Sequence, residues 1–203
     1  MEKNMDDKIW RYAMKGVREL QPYIPGKPIE TLERELGIRD SLKLASNENP
    51  LGTSPQALEA LQTALNPTML SLYPDGNGFV LKQALANKLK VTPEQITLGN
   101  GSNDVLDLIA RTFLGDRRDA VFSQYAFAVY PIVTKAVGAK AHISRAYPAN
   151  HPTMPYGHDL HAMLQQIRGY THVVFIANPN NPTGTWLNTE TLDYFISRVP
   201  KHT

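Results

Sequence analysis

The segment His172–Gly184, HVVFIANPNNPTG, joins an apolar run to a cluster of turn-forming residues. Residues 173–176, VVFI, are consecutively apolar, which is typical of a strand that is buried on both faces of a parallel sheet. Pro179 and Pro182 cannot donate to a sheet ladder, so the strand must end at about Ala177. The segment therefore predicts a buried strand that runs into a rigid turn.

The turn carries three asparagines, Asn178, Asn180 and Asn181. A rigid turn at the carboxyl end of a buried strand holds these amides with little rotational freedom, and such an amide donates to a ligand oxygen with preset geometry. In an open parallel sheet the functional site lies outside the carboxyl ends of the strands. On this segment alone, a loop that only turns the chain is the alternative interpretation.

Short apolar strands alternate with amphipathic helices from Leu42 onward, on both sides of this segment. Apolar residues at three- and four-residue spacing predict helices at 55–65, 78–90, 103–114, 127–138, 158–169 and 189–199. Apolar runs between turn signals predict strands at 96–98, 119–123, 141–146 and 172–176. The alternation predicts a layered α/β domain with a largely parallel sheet. The first forty residues predict an arm that ends in a short helix near residues 29–37.

Composition excludes several classes of function. The 203 residues are 42% hydrophobic, so the chain can bury a core, and 21 basic against 19 acidic residues give no reason to expect a nucleic-acid or membrane partner. Without cysteine there is no disulfide framework, thiolate zinc site or cysteine nucleophile. No signal peptide or spanning segment is evident, so we expect a cytoplasmic protein.

The segment Gly99–Asp104, GNGSND, lies between a predicted strand and a predicted helix. Its glycines let the backbone approach a ligand, while Ser102 and the first free N–H groups of the helix can bind an anion. This pattern predicts a phosphate cradle. The alternative is an ordinary strand-to-helix turn in which Ser102 or Asn103 caps the helix.

Five segments together resemble the fold-type-I aminotransferases that use pyridoxal 5'-phosphate, and within them the histidinol-phosphate aminotransferase family. The segments are LQPYIPG at 20–26, LASNENPLG at 44–52, LYPDG at 72–76, GNGSND at 99–104 and NPNNPTG at 178–184. The resemblance implies a three-layer αβα fold with a mainly parallel sheet. It also implies that residues 1–45 are an N-terminal arm and small-domain segment, and that residues 46–203 are the N-terminal part of a large cofactor-binding domain.

The resemblance also implies roles for residues that match the family's motifs. Ser102 and Asn103, with their backbone N–H groups, would hold the phosphate of the cofactor. Asn181 would bond the phenolic oxygen of its ring, and Tyr73 would reach the cofactor phosphate of the partner subunit in a homodimer. These residues form the expected cofactor site.

An aromatic side chain is expected over the cofactor ring from the segment SQYAFAVY at 123–130. Matching Tyr130 to the family pattern puts Phe127 on the ring face, with Tyr125 as the runner-up; stacking needs only a flat apolar face. On the substrate side, Tyr23 and Asn47 resemble the family residues near the substrate phosphate and carboxylate.

The lysine that carries the cofactor in this family is not evident in the chain. None of the eleven lysines lies in the family's Ser-Lys context, and the family's aspartate for the pyridine nitrogen also comes later than residue 203. Transamination needs both groups. We therefore expect an N-terminal part of an aminotransferase, which does not transaminate by itself.

The activity implied for the intact enzyme is amino transfer from histidinol phosphate to 2-oxoglutarate, in histidine biosynthesis. The partners would be a phosphorylated amine and a 2-oxo acid. A threonine-phosphate decarboxylase-like enzyme and a non-catalytic cofactor-binding fragment are alternatives. A metal-dependent hydrolase is a third, because His158 and His161 would share a helix face, but no third ligand accompanies them and we expect no metal site.

Overall fold

The structure, a computed structural model, describes residues 10–24 and 26–203. Residues 1–9 and Pro25, which belong to the predicted arm, lie outside the described residues. In the remainder of the arm the helix expected near residue 29 is present as Ile29–Leu36. Gly37, in the left-handed conformation, ends that helix.

The described residues form nine α-helices, of which two are single turns of four residues and the others have seven to twelve residues. In chain order they are α1 (Lys15–Arg18), α2 (Ile29–Leu36), α3 (Pro55–Ala64), α4 (Pro67–Leu70), α5 (Phe79–Leu89), α6 (Ser102–Phe113), α7 (Val129–Ala136), α8 (Leu160–Gln166) and α9 (Thr189–Ile196). Of the helices in the described part of the chain, none is long and apolar enough to cross a membrane.

Three parallel strands form one sheet in the order β2-β1-β3. They are β1 (Asp119–Ser123), β2 (Ala141–Ser144) and β3 (Thr171–Val174). The backbone N–H of Phe175 continues the ladder by donating to the carbonyl of Val121 at 2.9 Å. The prediction of a mainly parallel sheet is confirmed.

Two local predictions are wrong. Residues 96–98 form no strand, because no described segment pairs with them, and a strand exists only where a neighbour completes its ladder. The helix predicted to start at His158 starts instead at Leu160, after the side chain of Asp159 caps it by accepting from the N–H of Ala162 at 2.9 Å. His158 therefore lies outside α8, and it does not share a helix face with His161.

The two faces of β1 are covered by different helices. Ala120 and Phe122 point to one face, where they belong to a cluster with residues of α6 and α7. Val121, between them, points to the other face and packs with residues of α8 and α9, including Met163 and Phe195. Because successive side chains of a strand alternate between faces, this arrangement is the expected three-layer αβα fold.

Contacts divide the chain into two compact units. Of the described residues, 10–23 and Leu98–Thr203 form the unit that contains the sheet, and those within Ile24–Thr97 form the other. The second unit contains α2 to α5, in which Ala86 is buried and many other apolar side chains are exposed. The family-based boundary between residues 45 and 46 stays a prediction.

Candidate functional site

A cleft of about 320 Å³ opens in the unit that contains the sheet. Its walls come from α6, from the segment around the start of α7 and from the loop after β3. The lining residues are Ser102, Val105, Leu106, Phe127, Tyr130, Ala177 and Asn181. The structure thus brings together Ser102, Phe127 and Asn181, which the sequence singled out from three separate segments.

The N-terminus of α6 forms the first wall. Gly101 precedes the helix with a φ of 96°, and no side chain caps the helix. The cap interpretation of Ser102 or Asn103 is therefore wrong, and Ser102 is instead the first helical residue. The first N–H groups of a helix lack intrahelical acceptors and lie at the positive end of its dipole. This wall suits an anion.

The turn before α6 is tight. A Cβ on Gly99 would lie 2.9 Å from the Cβ of Asp104 and 3.1 Å from Cγ2 of Val105, so a larger residue would push against the helix start. The carboxylate of Asp104 accepts from the backbone N–H of Asn100 at 3.0 Å. These contacts fix the path of the chain into α6.

Aromatic rings form the second wall. Phe127 is half-buried and meets the ring of Tyr130 edge-on, with centroids 6.0 Å apart, and Tyr130 stacks on Phe175 at 4.7 Å. Burial raises the pKa of Tyr130, which keeps its phenol protonated. Tyr125 instead meets Tyr156 edge-on at 5.2 Å and does not line the cleft. Of the two candidates for stacking, Phe127 is the one at the cleft.

The three asparagines of the loop after β3 differ in their contacts. Asn178 makes two hydrogen bonds with the backbone of Leu187: its Nδ2 donates to the carbonyl at 2.9 Å, and its Oδ1 accepts from the N–H at 2.8 Å. Asn180 is 3% exposed and donates to the carbonyl of Tyr125 at 2.9 Å. Asn181 is exposed, takes no part in these bonds and lines the cleft. Two amides hold the loop, and the third lies at the cleft.

The remaining predicted residues do not line the cleft. Asn103 is the second residue of α6 and is exposed, and Tyr23 is a half-exposed residue of the same unit. Tyr73, which is fully exposed, and Asn47 both belong to the unit Ile24–Thr97. Their roles stay predictions.

Sequence reasoning missed the apolar part of the lining. Val105 and Leu106 follow Ser102 at three- and four-residue spacing, so all three lie on one face of α6. This spacing was readable in the sequence once Ser102 was taken as a site residue. Ala177 was recognised only as the end of the strand.

The two histidines of the hydrolase alternative have other partners. His158 is 2% exposed, and its Nε2 lies 3.0 Å from the carbonyl oxygen of Ala177. Burial lowers the pKa of His158, and the hydrogen bond to Ala177 acts in the opposite direction. His161 is exposed, and its Nε2 lies 3.0 Å from Nε2 of Gln165. Within residues 10–24 and 26–203, no three His, Asp or Glu side chains cluster in a way that could hold a metal ion.

Comparison with known proteins agrees with this fold. Residues 39–203 match the family model described as aminotransferase class I and II. The chain therefore belongs to the class I and II aminotransferase family. Within it, the chain is 55% identical over 192 residues to histidinol-phosphate aminotransferase 2 of Pseudomonas fluorescens, covering 94% of this chain and 50% of that protein.

The same group recurs among other relatives. Histidinol-phosphate aminotransferase 2 of Methylococcus capsulatus is 56% identical over 194 residues, which are 96% of this chain and 52% of that protein. The resemblance to the histidinol-phosphate aminotransferase family is confirmed. The chain spans about half the length of the curated relatives it matches.

Solved structures support the same fold. Histidinol-phosphate aminotransferase from Sinorhizobium meliloti, in complex with pyridoxal 5'-phosphate, matches with a TM-score of 0.75 and 27% identity, over 89% of this chain and 47% of that one. A mutant aspartate aminotransferase from Thermus thermophilus matches with a TM-score of 0.74 at 20% identity, over 93% and 50% of the two chains, and shares the fold.

Proposed function

We propose that this chain supplies one wall of the pyridoxal 5'-phosphate site of a histidinol-phosphate aminotransferase. The observation that carries the proposal is the single cleft that joins Ser102, Phe127 and Asn181. The cleft residues fit the cofactor, because its phosphate, its flat ring and its ring oxygen each match one feature of the cleft. The uncapped N-terminus of α6 suits the phosphate, Phe127 suits the flat ring, and Asn181 suits the ring oxygen.

Each of these residues has a defined task. The N–H groups of Ser102 and Asn103, together with the hydroxyl of Ser102, hold the phosphate at the positive end of α6. Phe127 covers one face of the ring and excludes water from it. Asn181 donates to the phenolic oxygen and favours its ionised form, because a hydrogen bond to the charged form stabilises that form. When bound, the cofactor acts as the electron sink that lets an amino group leave its donor.

The reaction of the intact enzyme is amino transfer from histidinol phosphate to 2-oxoglutarate, which yields imidazole-acetol phosphate and glutamate. The names of the relatives favour this activity over the threonine-phosphate decarboxylase alternative. We place Tyr23 near the substrate phosphate and Asn47 near its carboxylate, and Tyr73 at the cofactor phosphate of a second copy in a cytoplasmic homodimer.

We propose that none of the lysines in the 203-residue chain is the one that binds the cofactor covalently. Within the described part of the chain, no lysine lines the cleft. Incubation with pyridoxal phosphate followed by borohydride reduction should leave no stoichiometric adduct on a specific lysine, and amino transfer from histidinol phosphate should be absent. A single lysine labelled in full would contradict this part of the proposal.

Cofactor binding is tested directly by titrating the purified chain with pyridoxal phosphate and following the absorption of the ligand. Saturable binding is expected, with weaker affinity in Asn181→Ala and Ser102→Ala. Ser197→Ala is the matched control, since Ser197 is exposed at the end of α9, and its hydroxyl donates to the carbonyl of Tyr194 and accepts from the side chain of Arg198, away from the cleft lining. Equal affinity in all four proteins would show that the cleft is not the binding site.

A further inference from the structure

The connection between β3 and the cleft depends on a side chain. The regular ladder ends where Phe175 donates to the carbonyl of Val121 at 2.9 Å. Two residues later, the carbonyl of Ala177 lies 3.0 Å from Nε2 of His158. Ala177 lines the cleft, and the loop that carries Asn181 follows it. The histidine ring thus takes the place of a neighbouring strand at the end of β3.

His158 is itself held firmly. Its backbone forms an antiparallel bridge with Ala146, and Tyr147 donates to the carbonyl of Gly157 at 3.0 Å just beside it. Asp159, the next residue, caps α8. Only 2% of the residue is exposed, so the ring is shielded from water that could compete for the carbonyl of Ala177. The hydrogen bond therefore connects the segment after β2 to the wall of the cleft.

The partner of Nε2 decides where the ring proton lies. A carbonyl oxygen only accepts, so Nε2 must carry the hydrogen, and Nδ1 is left as the unprotonated nitrogen. Nδ1 is buried and has no hydrogen-bond partner among the described residues. A charged ring would bury a second N–H group without an acceptor, which is costly. Burial accordingly lowers the pKa of His158, and the ring is neutral near pH 7.

We propose that His158 is a positioning residue of the cofactor site: by donating its Nε2–H to the carbonyl of Ala177, it holds the loop in the place where Asn181 meets the ligand. The identity of the ligand rests on the proposed function above. His158 does not touch the ligand, and it acts through the backbone of the cleft wall. Asn178 and Asn180 hold the loop further along, by hydrogen bonds to Leu187 and Tyr125. His158 supports the loop where it leaves β3.

Four variants separate this role from general packing. Glutamine carries an amide nitrogen at the position of the histidine Nε2, whereas asparagine carries its amide at the position of Nδ1 and leucine carries no donor. We expect His158→Gln to bind pyridoxal phosphate within about twofold of the unmodified chain, and His158→Asn and His158→Leu to bind about tenfold more weakly, about 1.4 kcal/mol. His161→Leu is the matched control, because His161 is exposed and contacts Gln165, and its affinity should not change.

Hydrogen exchange supplies a readout that needs no ligand. In the free chain, the amides of residues 176–178, 180 and 181 should exchange faster in His158→Leu than in the unmodified chain or in His158→Gln, while the amides of β1 are unchanged. A purely structural role would accelerate exchange across the whole sheet. Affinity in His158→Leu equal to that of the unmodified chain, or an equal loss in His158→Gln, would overturn the proposal.

The two proposals fail in different ways. If the unmodified chain binds no pyridoxal phosphate, the cofactor assignment fails. Hydrogen exchange at the amides of residues 176–178, 180 and 181 then still decides the role of His158. Faster exchange in His158→Leu supports the positioning role, and unchanged exchange rates refute it. If His158→Leu does not fold, the ring nitrogens of the unmodified chain decide it by ¹⁵N NMR. Protonation on Nε2 supports the hydrogen bond to Ala177, and protonation on Nδ1 excludes it.

Discussion

Replacing Asn178 by alanine tests whether the asparagines of the loop after β3 divide support and ligand binding between them. The change removes two hydrogen bonds to the backbone of Leu187, at 2.9 and 2.8 Å. At about 0.5–1.5 kcal/mol for each bond, the free energy of unfolding should fall by about 1–3 kcal/mol. Asn181→Ala, in the same loop, removes neither bond, and it should change the free energy of unfolding by less than about 0.5 kcal/mol.

Urea unfolding followed by circular dichroism measures the difference. With a slope of about 2 kcal/mol per molar urea, a loss of about 2 kcal/mol lowers the midpoint of Asn178→Ala by about 1 M. Asn188→Ala gives an intermediate reference, because it removes one helix-capping bond to Thr191, at 2.8 Å, and should cost about 1 kcal/mol.

Titration with pyridoxal phosphate completes the comparison, because Asn181→Ala should lose affinity while its midpoint in urea stays unchanged. Two results would refute the division of tasks. One is an Asn181→Ala variant that is destabilised as much as Asn178→Ala. The other is an Asn178→Ala variant with an unchanged midpoint, which would mean that its two hydrogen bonds do not hold the loop.

Three further predictions concern the cleft walls and their support. Phe127→Ala should weaken binding of pyridoxal phosphate about tenfold in the same titration while Phe127→Tyr stays near the original affinity, because a flat ring suffices; equal loss in both would contradict stacking. Gly101→Ala should lower the free energy of unfolding, measured by thermal unfolding, by about 1–3 kcal/mol, because a φ of 96° strains any residue other than glycine. Gly169→Ala is the control, and it should leave the free energy of unfolding unchanged, because its new Cβ meets open space and its φ is not positive in this range. The free energy of unfolding should fall as the pH is lowered from about 7 to 5. The pKa of His158 is lowered in the folded chain, so the unfolded chain takes up the proton first, near pH 6.5. This one group can lower the free energy of unfolding by at most about 1.4 kcal/mol per pH unit. A slope as steep in His158→Gln as in the unmodified chain, measured by urea unfolding at each pH, would show that the dependence comes from other groups.

Local pattern was enough to predict most of the longer helices. The predicted helix 103–114 is Ser102–Phe113 in the structure, and the predicted helix 78–90 is Phe79–Leu89. Apolar spacing and the bounding glycines and prolines are properties of neighbouring residues, so the sequence displays them directly. The strand predicted at 96–98 failed for the converse reason. A strand is completed by a partner elsewhere in the chain, and three apolar residues carry no information about that partner.

The same distinction applies to the candidate site. Ser102, Phe127 and Asn181 were identified from motifs that resemble a known family, and the structure places them at one cleft. Their support was not readable, because it depends on long-range pairs. Asn178 bonds to a residue nine positions away, and His158 bonds to one nineteen positions away. No local spacing distinguishes an asparagine that holds its own loop from one that faces a ligand.

The cleft is lined from the α6 and α7 side of the sheet, whereas part of its support comes from the opposite side, and this explains why its support is spread so widely. Phe127 and Tyr130 belong to the side where α6 and α7 pack against Phe122. His158 comes from the segment before α8, which packs on the opposite side against Val121. Both sides meet at the carboxyl end of β3, where the chain leaves the sheet. A change behind the sheet is therefore expected to alter binding in front of it, provided that it moves the end of this strand.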